Sequence, residues 1–380
     1  MRVMFSCVPA AGHFFPLVPL AWALRSAGHD VIFGVPKDYC TEVASAGLPA
    51  LATSDSFDLR SLVIDMACMP YSSTPSQADH EIAARASRSS VLLAERNAVG
   101  TRALIQQWKP QLVVTDPLWL VGRLAAADAG VPLVEHRWGL APPAYFTDGP
   151  GSLLDRLRSR LGFGDVTPPA LTVDVCPPSF QLPDTRRGRD MTYIPYNGRE
   201  SLSAWHSVLG EGPLLCVTFG SLLPYIRDLS QLVDSVLQAA AELGLDVVLA
   251  APNTHAKKWV NDSSRVRAAG WLPIRLLLEQ CEAVVHHGGS GTMMTAMRHG
   301  LPQVITPHLA DQFLNASRLT DFGAGVVPVD HSPDELAAAI NAAASDSRHR
   351  AAASALAHEI AAQPSPAETV TVLRDLALTK

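Results

Sequence analysis

The stretch His286-His287-Gly288-Gly289-Ser290-Gly291-Thr292 decides how this chain is read. It follows a short apolar run, Ala283–His286, and opens a helix-like segment, Thr292–His299. Strand, glycine turn and helix in that order form a joint that suits an anion. The glycines let backbone approach a ligand, and the unpaired amides and dipole of a helix start favour negative charge. Ser290 and Thr292 add hydroxyl donors and His286 adds an imidazole, which together suit a diphosphate. A turn that needs glycine only for its shape would look similar, but the strand–glycine–helix context favours the anion. A metal site is disfavoured, because adjacent histidines on extended backbone point to opposite faces.

Working outward, the same kind of unit recurs. Leu214–Phe219 reads as a strand ending in Gly220-Ser221. Leu229–Leu243 reads as a helix, and Asp246–Ala250 and Gln303–Thr306 as strands. An earlier series has strands at Arg2–Val8, Asp30–Val35, Gln111–Thr115 and Pro132–Glu135, with helices at Leu17–Ala27 and Trp119–Ala129. These β-branched runs lack polar alternation, so they suit parallel sheets covered on both faces. Two successive series predict two doubly wound Rossmann-like domains in an α/β chain. Asn197–Pro213 lacks periodicity and reads as a linker. The expected division is 1–200, a linker 201–213, and 214–363. Pro364 breaks the helical pattern, and 364–380 reads as a separate amphipathic tail helix, Pro366–Leu378. Residues 54–100 and 137–170 read as less regular, with peripheral helices and loops.

The 380 residues leave room for two or three domains of roughly 150 each. Apolar residues make up 48% and charged residues 17% of the chain, which excludes disorder. The net charge of -6 and the absence of long basic runs argue against nucleic acid as a partner. No apolar run is long enough for a membrane span, and the short apolar start does not read as a signal peptide. The six scattered cysteines form no CxxC pattern, which fits a reducing, cytoplasmic setting. No Asp-x-Asp pair exists to hold a nucleotide through a divalent ion, which favours charge neutralisation by protein donors, although single carboxylates could still bind a metal; no metal or other cofactor is expected.

Other residues sit where chemistry is expected. His13 follows the first strand and Asp116 follows Gln111–Thr115. Ligands of doubly wound sheets bind beyond such strand ends. A His–Asp pair there would orient a general base, whereas separately the two read as a loop His, between Pro9 and Pro16, and a turn Asp. In Gly270-Trp271-Leu272-Pro273 the indole could stack on a base while backbone at Leu272 reads its edge, or it could simply pack. Asp311-Gln312 could bind vicinal sugar hydroxyls or cap a helix. Phe14, Tyr71, Trp138, Tyr145 and Phe146 are candidates for an apolar acceptor pocket.

Together these residues make a recognisable pattern. The chain resembles the family 1 glycosyltransferases of the GT-B fold, most closely the bacterial branch that glycosylates antibiotic aglycones. The resemblance spans essentially the whole chain. It rests on Gly12-His13-Phe14-Phe15-Pro16-Leu17, Thr218-Phe219-Gly220-Ser221, Gly270-Trp271-Leu272-Pro273, His286–Thr292, Gly300-Leu301-Pro302-Gln303 and Asp311-Gln312. Cys176-Pro177-Pro178-Ser179 and Ile194-Pro195-Tyr196-Asn197-Gly198 also look like that branch.

The resemblance implies two domains facing a cleft, an acceptor domain first and a nucleotide-sugar domain second, with the tail helix crossing back to the first. It implies that His13 deprotonates the acceptor and that Asp116 polarises His13. Trp271 and Leu272 would hold the base. Ser221, His286, Gly288, Gly289, Ser290, Gly291 and Thr292 would hold the diphosphate, and Asp311 and Gln312 the sugar. Where many UDP-sugar members carry a ribose-binding Glu, this chain has Met294, which favours a dTDP-sugar. Ile274 departs from the plant pattern of a Gln there. The implied reaction is an inverting, metal-independent transfer of a deoxysugar from dTDP to an apolar, polyketide-like aglycone in antibiotic biosynthesis. A C-glycosyltransferase, an epimerase on the same scaffold and a non-catalytic helper are the alternatives, and a homodimer is one assembly left open.

Overall fold

Two parallel sheets organise the chain. A computed structural model describes residues 1–67, 77–142, 152–183, 185–199, 212–260 and 265–378; for 67 and 77–86 it describes backbone only. Contacts group the chain into two units, Met1–Thr192 with Gln363–Lys380, and Tyr193–Ala362. Most of the expected linker, and Tyr71, Tyr145 and Phe146, lie outside the described residues.

The first unit has seven strands: β1 Arg2–Ser6, β2 Asp30–Val35, β3 Ala50–Ala52, β4 Leu112–Thr115, β5 Leu133–His136, β6 Leu171–Asp174 and β7 Arg189–Asp190. Their spatial order is β3-β2-β1-β4-β5-β6-β7, with every pair parallel. The central strands are buried along their length, as uninterrupted apolar runs under helices on both faces require. The order reverses between β1 and β4, where Val3 pairs with both Val31 and Leu112. Side chains leaving the ends of β1 and β4 therefore meet at the switch point.

The second unit repeats the plan with β8 Leu214–Thr218, β9 Asp246–Ala250, β10 Val266–Gly270, β11 Cys281–His286, β12 Gln303–Ile305 and β13 Gly325–Val326, ordered β10-β9-β8-β11-β12-β13. Its switch point lies between β8 and β11, which sets the Gly220 and Gly288 turns side by side. Its core joins inward residues of β8, β9 and β11 to the helices Ser230–Glu242 and Pro333–Ser345.

Three expectations change. His13 sits not in a loop but on a short helix, Ala11–Phe14, that a 3-10 turn at Phe15–Leu17 joins to the helix Val18–Ser26. Part of 54–100 is regular, with helices Leu59–Ala67 and Gln77–Trp108. Residues 193–199, counted with the first domain from the sequence, group with the second unit. The tail helix Pro366–Leu378 packs on Val18–Ser26 within the first unit, burying Thr369, Val370 and Leu373. Its approach is fixed by Thr192 N–H donating to Pro364 O at 2.8 Å. Among the described residues no helix is long and apolar enough to cross a membrane.

Candidate functional site

At the first switch point a carboxylate is immobilised. Asp116 is 1% exposed. Its Oδ2 accepts from Val8 N–H at 2.7 Å, and its Oδ1 accepts from Leu118 N–H at 2.9 Å. The third partner is His13, whose Nδ1 lies 3.1 Å from Oδ1. A carboxylate accepts, so Nδ1 carries a proton, and in the neutral tautomer this selects, Nε2 carries the lone pair. The His13 side chain keeps 21% exposure, enough for a substrate to reach it. Trp138 meets the imidazole edge-on, with centroids 4.6 Å apart. The structure thus brings together His13, Asp116 and Trp138. It does not bring Phe14 to a pocket: Phe14 is fully buried and packs against Phe33 and Tyr39, because on this short helix it faces the core while His13 faces out.

His136, at the end of β5, was missed from sequence. It is buried, its Nδ1–H donates to Arg137 O at 2.8 Å, and its Nε2 has no partner among the described residues. Burial pushes its pKa down to about 4, so it is neutral. Nothing in the local sequence separates it from an ordinary strand residue.

The second switch point carries the glycine turn. His286 is fully buried. Gly288 N–H donates to its Nδ1 at 3.0 Å, and its Nε2–H donates to Gln303 Oε1 at 2.9 Å. Burial holds its pKa near 4. The expectation that His286 presents a donor to the diphosphate is therefore corrected, since both ring nitrogens already serve to shape the turn. His287 fills the space between Gly220 and Gly289, where an added Cβ would fall 2.7 Å and 2.4 Å from its ring. Burial, then the neighbouring imidazoles of His286 and His308, push its pKa down to about 3.

The helix Ser290–Arg298 starts here, and its first helical bond runs from Met293 N–H to Gly289 O. The amides before it have no helical partner. A Cβ on Gly291 would meet nothing within 4 Å, so the turn is open on that side. Ser221, Gly289, Gly291 and Thr292 are partly exposed around it.

Ser290 Oγ donates to Asp311 Oδ2 at 2.9 Å. Asp311 sits at the helix start before Gln312–Phe322 but makes no side-chain cap. Instead it ties that helix to the glycine turn. Asn315 completes the tie, donating from Nδ2 to Gly288 O at 2.8 Å, Ser290 Oγ at 3.1 Å and Asp311 Oδ2 at 3.3 Å. Gln312 turns back: its Oε1 accepts from His308 and Leu309 N–H at 2.8 and 2.9 Å, which braces the loop. That loop includes Ala310 at φ 48°, a conformation that costs a non-glycine residue about 1–3 kcal/mol.

Trp271 leaves the end of β10 with 38% exposure, and its backbone N–H donates to Asn253 Oδ1 at 2.8 Å. Leu272, expected at the base edge, packs its side chain on a small core cluster, and its carbonyl accepts from Ile274 N–H. Met294 is fully buried and offers no polar group near the turn. Asn253 and Asn315 were both missed. Asn253 follows β9 as His13 follows β1, so the strand-end rule could have found it. Among the described residues no group of three or more His, Cys, Asp or Glu is arranged to hold a metal ion.

Comparison with known proteins gives this arrangement its context. Residues 22–220 match the N-terminal domain, and 234–376 the C-terminal domain, of erythromycin biosynthesis protein CIII-like proteins. The chain is 38% identical to the L-demethylnoviosyl transferase of Streptomyces niveus, over 97% of this chain and 96% of the relative. Among solved structures it is similar to spinosyn rhamnosyltransferase SpnG, at 29% identity and a TM-score of 0.84, covering 99% of this chain and 100% of that one. It is likewise similar to glycosyltransferase SsfS6 of Streptomyces sp. SF2575 complexed with thymidine diphosphate, at 33% identity, a TM-score of 0.79 and 99% coverage of each chain. SpnG has also been solved with thymidine diphosphate and with spinosyn aglycone. With both domain models matched and relatives aligned along nearly its whole length, the chain belongs to the erythromycin biosynthesis protein CIII-like family and is a glycosyltransferase of the GT-B fold.

Proposed function

We propose that the chain transfers a deoxysugar from a dTDP-sugar to a hydroxyl of an apolar, polyketide-like aglycone in antibiotic biosynthesis, with inversion and without a metal ion. The observation that carries the reading is the His13–Asp116 pair, with a fixed carboxylate on Nδ1 and a partly exposed imidazole. His13 Nε2 takes the acceptor proton as the oxygen attacks the anomeric carbon. The bond from that carbon to the diphosphate oxygen breaks on the opposite face, and dTDP leaves with the electron pair. Asp116 stabilises the imidazolium formed. The helix-start amides that receive no helical partner, with the Thr292 hydroxyl, meet the charge growing on the leaving group; the Ser290 hydroxyl is already spent on Asp311. Trp271 supplies the face for the base, and Asp311 contacts the sugar. A thymidine donor is supported by Met294 in place of a ribose-binding carboxylate, and by the thymidine diphosphate complexes of SpnG and SsfS6.

The test is His13→Ala with dTDP-sugar and aglycone. A drop in kcat of about 10²–10⁴-fold is expected, the usual range for a lost general base, with dTDP affinity retained. Near-full activity would remove His13 as the base. The product anomer read by NMR tests inversion, and turnover in EDTA tests metal independence.

A further inference from the structure

The helix Ser290–Arg298 is braced from behind by Tyr193, Thr295 and Asn197, none of which belongs to the site described above. Tyr193, the first residue of the second unit, is 3% exposed. Its hydroxyl donates to Gly291 O at 3.2 Å and lies 3.4 Å from Thr295 Oγ1. Thr295, fully buried, donates its own hydroxyl to Gly291 O at 2.7 Å. Asn197 Nδ2 reaches Thr295 Oγ1 at 3.4 Å. One carbonyl in the first turn of the helix is thus gripped by two hydroxyls.

The carbonyl of Gly291 and the N–H of Thr292 belong to one planar, trans peptide and point in opposite directions. Fixing the carbonyl fixes that N–H. It is one of the amides at the helix start that no helix carbonyl receives, since helical bonding begins at Met293. Burial pushes the Tyr193 phenol up to about 12, so the hydroxyl remains a donor at neutral pH.

We propose that Tyr193 is a positioning residue for the nucleoside diphosphate: through the Gly291 carbonyl it locks the peptide that presents the Thr292 N–H to the anion. This rests on reading the start of Ser290–Arg298 as the diphosphate site. Thr295 shares the task.

The test uses the full chain with dTDP as probe, by calorimetry, and donor and acceptor KM by steady-state kinetics. Tyr193→Phe is expected to weaken dTDP about fivefold, the equivalent of one hydrogen bond, and to raise donor KM similarly while acceptor KM stays put. Thr295→Val should do the same, and Thr295→Ser, which keeps the hydroxyl, should restore wild-type values. Thr295→Val carries the measurement if Tyr193→Phe does not fold. Wild-type dTDP affinity and donor KM in both variants, with only thermal stability lowered, would overturn the proposal and leave the diphosphate reading standing. Failure of the wild-type chain to bind dTDP would overturn that reading, and this inference with it.

Discussion

At Asp116 three donors converge on one carboxylate, from Val8, Leu118 and His13. An amide cannot replace it without turning an NH₂ group toward one of these donors. Asp116→Asn is therefore expected to lower kcat by about 10²-fold or more, with dTDP binding unchanged, because His13 loses both its orientation and the partner of its imidazolium. Steady-state kinetics beside dTDP calorimetry checks this; unchanged kcat would detach Asp116 from catalysis. Gly289 makes a different demand. An added Cβ would lie 2.4 Å from His287 Nε2, and that ring, wedged also against Gly220, has no room to retreat. Gly289→Ala should displace the turn and abolish measurable dTDP binding. At this scale the residue types and their order were legible in the sequence. It did not reveal that His286 spends both nitrogens inside the protein, because that depends on Gln303, one strand away.

Whole elements were legible where they are long and apolar. Asp30–Val35, Asp246–Ala250 and Pro366–Leu378 were bounded correctly from sequence, since each has a sustained pattern and a clear breaker beside it. The edge strands β7 and β13, of two residues each, carry no pattern to find and exist only because a neighbouring strand pairs with them. Asn315 shows the same limit on a helix. It is fully buried and ties Gln312–Phe322 to the glycine turn through three acceptors. Asn315→Ala leaves Gly288 O and Asp311 short of a donor. It should destabilise the protein by about 1–3 kcal/mol and raise donor KM, measured by denaturant unfolding and kinetics. The tail helix gives a second prediction. Leu373 is fully buried, so Leu373→Ala should cost about 2–5 kcal/mol and lower the thermal midpoint. A change within error would mean that the helix is not docked in solution.

Across the whole molecule, buried and half-buried neutral imidazoles set a pH limit. His136, His286 and His308 are held near 4 and His287 near 3, against an ordinary 6.5, with burial the largest cause for each. In the unfolded chain they take up protons near 6.5, whereas in the folded chain they do so only near 4 or below. Between those values the unfolded state binds more protons, so stability falls as pH falls; above about 6.5 their contribution is complete. The thermal midpoint should therefore be level above about pH 7 and decline steadily toward pH 4. Carboxylates held by hydrogen bonds, such as Asp346, held near 2 by Arg348, act only below that window. A midpoint unchanged between about pH 7 and pH 5 would contradict the burial of these rings.

Two parallel sheets, their central strands and the glycine turns that follow them were legible in the sequence by themselves. Uninterrupted β-branched runs, glycine turns and intervening helices permit few other arrangements, and they place chemistry at strand ends in both halves. Tertiary structure alone decided which polar groups face outward and which face one another. His13 and Asp116 are 103 positions apart, and Tyr193 and Gly291 are 98 apart. Such pairs are made by strand order and helix docking, which close long stretches of chain that no local pattern records. The same packing sent Phe14 and Met294 into the core and left the His13 imidazole and the Gly291 turn within reach of solvent.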